Sequence, residues 1–330
     1  MTMKRVPFIV LLSVVALVLI TLPLLLDRYY LHVFIMIYLF AYLSTCWNII
    51  GGYIGTFSFG HTAFFGIGAY ISTILLVSLN VTPWVGFLIG GLGGMLFGFS
   101  IGYVSFKCGL RGPFFAMTTL AFAEILRVIA NNWDAVGAAN GIIIPLKGGD
   151  SLYFIQFLSK APYYYVALLL MVIGIAVMYF ITGARLGEYF FAIREDEEAA
   201  EALGIDTLKY KIVGIMISSF LTAVGGAFYV QYISFIDPHI AFGVGTSIEI
   251  LLPTVVGGVG TIWGPILGSF ILTPLTEASR IMLGRYAGVH LAAYGTVLVF
   301  VIIFMPKGVL REIQRLYAYI FSRQRGEEVI

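Results

Sequence analysis

Apolar residues run along this chain in blocks of about twenty, and few of the blocks contain an ionised side chain. At ~1.5 Å of rise per residue, such a block matches the ~30 Å hydrocarbon core of a bilayer crossed by an α-helix. The pattern predicts ten helices, near 7–26, 32–50, 57–79, 84–106, 112–131, 162–182, 211–232, 244–260, 262–282 and 288–305. Strands of a membrane barrel would alternate polar and apolar positions, and these blocks do not. The first block follows Lys4 and Arg5 as a signal peptide would, but it lacks a small-residue cleavage site and runs straight into another span. It is read as retained.

The expected fold class is therefore all-α: a polytopic membrane protein with about ten transmembrane helices over 1–306 and a polar tail over 307–330. In the tail, Leu310, Ile313, Tyr317 and Ile320 make an apolar stripe beside Arg311 and Arg315. That pattern predicts an amphipathic helix lying on an anionic leaflet. Composition agrees, since 60% of residues are hydrophobic and 11% charged, where a soluble domain carries roughly a quarter. With both termini in the cytosol, thirteen Lys and Arg residues fall on the cytosolic side and five on the other. This positive-inside division supports the orientation and the even number of spans. The run 244–260 is short and broken by Pro253, but removing it would put the basic tail outside, so it is read as spanning.

Several classes of chemistry find no support. No G-K-[ST] tripeptide is present to cradle a nucleotide phosphate. His32, His61, His239 and His290 stand far apart with no metal-ligand spacing, so no metal site is expected. Cys46 and Cys108 read as packing residues rather than a disulfide, and no nucleic-acid footprint is visible. Gly98, Ser100 and Gly102 satisfy G-x-S-x-G, but in mid-helix rather than at the strand-to-helix turn a nucleophile elbow needs. The same glycines belong to a longer series, Gly86, Gly90, Gly94, Gly98 and Gly102, that bares one face of a helix for close packing in lipid.

Ionisable groups at membrane depth cost about 2.5 to 3.5 kcal/mol each on the insertion scale, so they mark candidate sites. Glu124 and Arg127 are one turn apart and suit either an internal ion pair or a substrate contact. Glu249 has no basic neighbour in its run and is a candidate for a wet cavity. The segment 51–70, GGYIGTFSFGHTAFFGIGAY, breaks a helix with glycines and brings Ser58 and His61 to the start of the third span. Transporters use such breaks to offer backbone groups to a substrate. GGVGTIWGPILG at 257–268 enters the ninth span similarly and hints at a repeat.

The largest anomaly is RLGEYFFAIREDEEAAEALGID, residues 185–206, with nine charges in twenty-two residues, seven of them acidic. Burying them in lipid would cost on the order of 20 to 30 kcal/mol, which puts the segment in the cytosol. Glu195 to Glu198 and Glu201, interleaved with Ala199, Ala200, Ala202 and Leu203, suit a short amphipathic helix that Gly204 is placed to stop.

EAAEALG, Glu198 to Gly204, fits the E-A-A-x-x-x-G signature of the coupling loop in permease subunits of ABC importers. Together with FSFGHTAFFGIGAY, RGPFFAMTTLAFAEILR and VVGGVGTIWGPILG, it makes the chain resemble the LivM-type permeases of high-affinity branched-chain amino acid importers over nearly its whole length. In one respect it departs: the wider importer signature continues with I-x-L-P, and this chain reads IDTLKYKIVG. The resemblance implies that 1–306 is a permease domain with a coupling loop at 183–210 and an outer loop at 132–161. It implies a bacterial inner-membrane importer with a second, LivH-like permease, two ATPase subunits and a periplasmic binding protein. ATP and Mg would be held by those partners and no cofactor by this chain. Arg194, Glu195, Glu198, Ala199, Ala200 and Gly204 would meet an ATPase subunit and receive its movement, and Ser58, His61, Glu124 and Glu249 are the candidates for the translocation pathway. A self-sufficient secondary transporter or channel for a small polar solute is the alternative, and close relatives that carry urea or short amides leave the substrate open.

Overall fold

The computed structural model describes residues 18–147, 149–283, 295–296, 299 and 308–312. Most of the predicted helices 7–26 and 288–305, and the tail after 312, lie outside the described residues. Eleven described α-helices follow one another: α1 (Arg28–Asn48), α2 (His61–Leu79), α3 (Pro83–Lys107), α4 (Gly112–Asn131), α5 (Ala161–Gly183), α6 (Arg185–Glu195), α7 (Glu197–Ala202), α8 (Thr207–Ile233), α9 (Pro238–Phe242), α10 (Val244–Gly257) and α11 (Gly264–Leu283). A π-helical turn, Ile49–Tyr53, extends α1. Residues 18–25 are also helical. The protein is an all-α polytopic membrane protein in which six described helices are long and apolar enough to cross a bilayer.

Two expectations need adjustment. The predicted span 244–260 is realised as α10, whose fourteen residues rise only ~21 Å. Short α9 precedes it, and Gly243 separates the two. The predicted third helix starts at His61 rather than 57, because residues 54–60 form an irregular connection after the π turn. The loop between α4 and α5 contains two 3₁₀ turns. Its Ile142–Ile143 pairs antiparallel with Phe235–Ile236, just after α8.

Helix α1 is the axis of the fold and packs against α5, α8, α10 and α11. Some of its polar side chains bond neighbouring backbones. The Tyr42 hydroxyl donates to the Leu221 carbonyl at 2.8 Å. Ser44 donates to the Ile250 carbonyl at 2.6 Å, and Thr254 returns a bond to the Ser44 carbonyl at 2.9 Å. In lipid, such bonds and close packing hold helices together because no water remains to be expelled. On the other side, α8 packs against both α2 and α3.

The glycine series of α3 lies at that contact. A Cβ at Gly86 would come 2.6 Å from Ser72 Oγ, one at Gly90 3.0 Å from the Gly68 carbonyl, and one at Gly94 2.5 Å from Ala223 Cβ. At Gly98 it would overlap Ser219 Oγ, and at Gly102 it would lie 2.7 Å from Ile215 Cγ2. The stripe thus lets α3 approach α2 through its first half and α8 through its second.

Candidate functional site

The acidic segment folds into two helices joined at one residue. Asp196 stands between α6 and α7, and its carboxylate accepts the backbone N–H groups of Glu198 and Ala199, each at 3.0 Å. This satisfies donors that the first turn leaves without partners. At the other end, the Gly204 N–H bonds to the Glu201 carbonyl at 2.9 Å and the Ile205 N–H to the Ala200 carbonyl at 3.1 Å. Gly204 adopts φ +86°, the left-handed conformation that closes a helix in this pattern at no steric cost.

One side chain of α7 faces inward among the cations. Glu197 pairs with Lys211 of α8 and with Arg111 at the entry to α4, 3.4 Å away. Lys211 also lies 4.9 Å above the Phe106 ring of α3, and the Thr207 hydroxyl donates to Glu201. Arg111 bonds Glu198 at 3.1 Å. That bond, with the charge of Glu197, raises the guanidinium above its ordinary value. Ala200 is buried beneath α7, whereas Glu195, Glu198, Ala199, Ala202, Leu203 and Gly204 are exposed. Leu203 is 82% exposed. A short helix is thus clamped on one face and projects a mixed acidic and apolar surface on the other.

Arg194 takes a different direction. Its Nη1 donates to the Gly52 carbonyl in the π turn at 2.7 Å. One turn back along α1, the Asn48 amide donates to the Thr261 carbonyl at 2.8 Å and accepts the Gly260 N–H at 2.9 Å. The two glycine-rich entries noted in the sequence therefore touch, and Arg194 reaches both.

Ser58 and His61 are buried in a closed network. The Ser218 hydroxyl donates to the Cys46 carbonyl at 2.7 Å, so it accepts from His61 Nε2–H at 2.9 Å. Ser58 Oγ accepts the Gly60 N–H and donates its own proton to His61 Nδ1 at 3.1 Å. The neutral Nε2–H tautomer satisfies every member. The broken backbone is tied down as well: Trp47 Nε1 donates to the Ser58 carbonyl at 2.7 Å, Thr119 accepts the Phe59 N–H at 3.2 Å, and Ser247 donates to the Phe59 carbonyl. In this conformation, Ser58 and His61 lock α1, α2 and α8 together.

Glu124 and Arg127 pair on α4, with Nε 2.9 Å from Oε2. Their side chains retain 46% and 23% exposure, so the pair faces outward from this chain. Glu249 instead lines a small cavity, about 10 Å³, with Phe40, Pro253, Leu272, Thr273, Thr276 and Glu277. His32 approaches Glu277 at 3.6 Å. Among the described residues, no group of His, Cys, Asp and Glu could hold a metal ion.

A family model described as "Branched-chain amino acid transport system / permease component" matches residues 29–306. The chain belongs to this family. It is similar to the high-affinity branched-chain amino acid transport system permease protein LivM of Escherichia coli K12, at 27% identity over 94% of this chain and 76% of the relative. LivH of Salmonella typhimurium is 23% identical over 82% of this chain and 91% of its own length. BraD of Pseudomonas aeruginosa is 25% identical with the same coverage. No solved structure matches the chain.

Sequence reasoning placed Asp196 and Glu197 in the acidic helix but gave no individual role to them, to Lys211 or to Arg111. The capping role of Asp196 was open to inference, since an aspartate immediately before a short helical run is a standard start signal. The inward turn of Glu197 was not. Its partners come from α8 and the entry to α4, and only the fold brings them together.

Proposed function

We propose that this chain is one membrane-spanning subunit of an ATP-driven, binding-protein-dependent importer of branched-chain amino acids in a bacterial inner membrane. The observation that carries the reading is α7, a capped helix that is clamped from behind by Glu197 and, with its flanking residues, presents Glu195, Glu198, Ala199, Leu203 and Gly204 outward. Such a surface suits a cleft in a separate ATPase subunit, and the chain has no phosphate-binding loop of its own. Ala200 is buried on the inner face of α7, and Arg194, at the end of α6, reaches the Gly52 carbonyl.

A LivH-like second permease completes the transmembrane unit, two ATPase subunits hold ATP and Mg, and a periplasmic binding protein delivers the substrate to the outer loop. The carried amino acid passes by alternating access. Glu124, Arg127 and Glu249 are the groups proposed to meet it, because they offer charge where a zwitterion must leave water.

The test is uptake of labelled leucine into vesicles containing all five kinds of subunit, with ATP supplied on the cytosolic side. Uptake that requires both the binding protein and ATP is expected, with leucine, isoleucine and valine competing and urea not. Gradient-driven flux through the purified chain alone would overturn the reading.

A further inference from the structure

We propose that Arg194 is the strut through which movement of the coupling helix reaches the core, by capping the cytosolic end of α1 and passing beside the α10–α11 loop. The inference rests on the permease reading above and assigns Arg194 an inward positioning role rather than contact with the ATPase.

The geometry begins at the end of α1. The π turn leaves the helix with carbonyl groups that have no further turn to bond them. Its N–H donors come from Ile54, which bonds the Ile49 carbonyl at 3.3 Å, and Thr56, which bonds that of Ile50 at 3.0 Å. Gly52 lies beyond both, and its carbonyl receives the Arg194 guanidinium. A cation at the negative end of a helix dipole, making a charge-assisted bond, is a strong and directional cap.

The side chain reaches this carbonyl through a passage of glycines. A Cβ at Gly55 would lie 2.9 Å from Arg194 Cγ, and one at Gly260 would overlap Nη1. A Cβ at Gly52 would come 2.7 Å from the Gly260 backbone nitrogen. Gly55 and Gly260 have φ of +79° and +74°, so both the space and the backbone call for glycine. The start of the tail adjoins the same loop, with Leu310 Cβ 3.7 Å from where a Cβ of Gly258 would be.

The strut is also stiffly joined to the coupling helix. Arg194 belongs to α6, whose Phe190 and Ile193 are buried, and it stands two residues before the cap of α7. Displacement of α7 therefore moves the guanidinium, and through it the end of α1 and the loop that Asn48 holds. Because α1 packs against α5, α8, α10 and α11, a shift at its end reaches most of the helices around the core.

The experiment compares Arg194→Gln with the wild type in the five-part complex in vesicles, reading ATP hydrolysis and labelled leucine uptake in parallel. Co-purification of the ATPase subunits and binding-protein stimulation of hydrolysis are expected to persist, while leucine taken up per ATP falls at least tenfold. Gly260→Ala, which blocks the passage without altering any charge, should uncouple in the same way. Arg194→Lys, which reaches the carbonyl with a single ammonium, should recover part of the ratio, and it supplies the same comparison if the glutamine variant does not accumulate. An unchanged ratio in these variants, or hydrolysis and uptake falling together as a purely structural cap would dictate, overturns the strut. Absence of ATP-dependent uptake in the wild-type complex would overturn the permease reading with it.

Discussion

At the scale of single residues, Glu197 decides whether α7 stays docked. The Lys211 side chain is 7% exposed and that of Glu197 19%, so removing the carboxylate strands a nearly buried ammonium. Breaking a fully buried pair costs about 3 to 5 kcal/mol; with Glu197 partly hydrated, Glu197→Gln should cost about 2 to 3 kcal/mol. The expected result is a lower melting temperature of the solubilised complex and faster proteolysis between 196 and 206. Adding Lys211→Met, which removes the stranded ammonium, should restore part of both. Glu124 and Arg127 pose a different question, because they pair on an outward face. If the pair only neutralised itself, replacing both by leucine would cost nothing and even ease insertion. As pathway residues, they predict normal accumulation of the double variant with uptake lowered at least tenfold, measured against immunoblotted protein. The two sites also mark how far sequence reaches at this scale. Glu124 and Arg127 were legible as a pair because a helix sets residues three apart on one face. The seven acids of 185–206 gave no way to tell which one turns inward, since that depends on where α8 and α4 lie.

Among elements, the contact between α3 and α8 is the most demanding, and it was also the most legible, since small residues every fourth position are the signature of close helix approach in lipid. What the periodicity left open was the partner, and the stripe turns out to serve two helices in succession. Gly94→Ala tests this contact cleanly, because the added Cβ would sit 2.5 Å from Ala223 Cβ. Overpacking of this kind costs about 1 to 3 kcal/mol. Ala223→Gly in the same chain removes the nearer obstructing atom and leaves the Ser219 carbonyl, 3.0 Å from the added Cβ. The helix-propensity changes at the two positions, about 1 kcal/mol each, oppose one another, so the double variant should regain more than half of the lost thermal stability. Failure to regain any would mean that α3 and α8 do not meet there. The glycine breaks were read less well. Gly51 and Gly52 lie within the π turn that extends α1; the helical structure is interrupted only over 54–60, and the freed backbone there is bonded by Trp47, Thr119 and Ser247. A break in the pattern shows that backbone groups need partners; which partners they find is set by packing.

For the whole molecule, the proposed orientation rests on which charges share an end. Arg111 meets Glu197 and Glu198 and Arg194 meets the end of α1, so both belong to the end that carries α7. The pairing of Ile142–Ile143 with Phe235–Ile236 ties the loop that bears Lys147 and Lys160 to the far end of α8. Lys107, Arg185, Lys209 and Lys211 lie on segments at the α7 end as well, against Arg28, Lys147 and Lys160 at the other, and this is the charge balance on which the proposed cytosolic placement of α7 rests. Two cysteines make this directly measurable, since Cys108 is exposed beside Arg111 and Cys46 is buried within α1. A membrane-impermeant maleimide should label Cys108 in inside-out vesicles and not in right-side-out ones, while Cys46 should stay unlabelled until the protein is denatured. Leu158, 80% exposed on the outer loop, provides the opposite marker. With Cys108 changed to Ser, Leu158→Cys should react only from the outside, and a reversed pattern for both positions would invert the molecule and place α7 where no cytosolic ATPase could reach it.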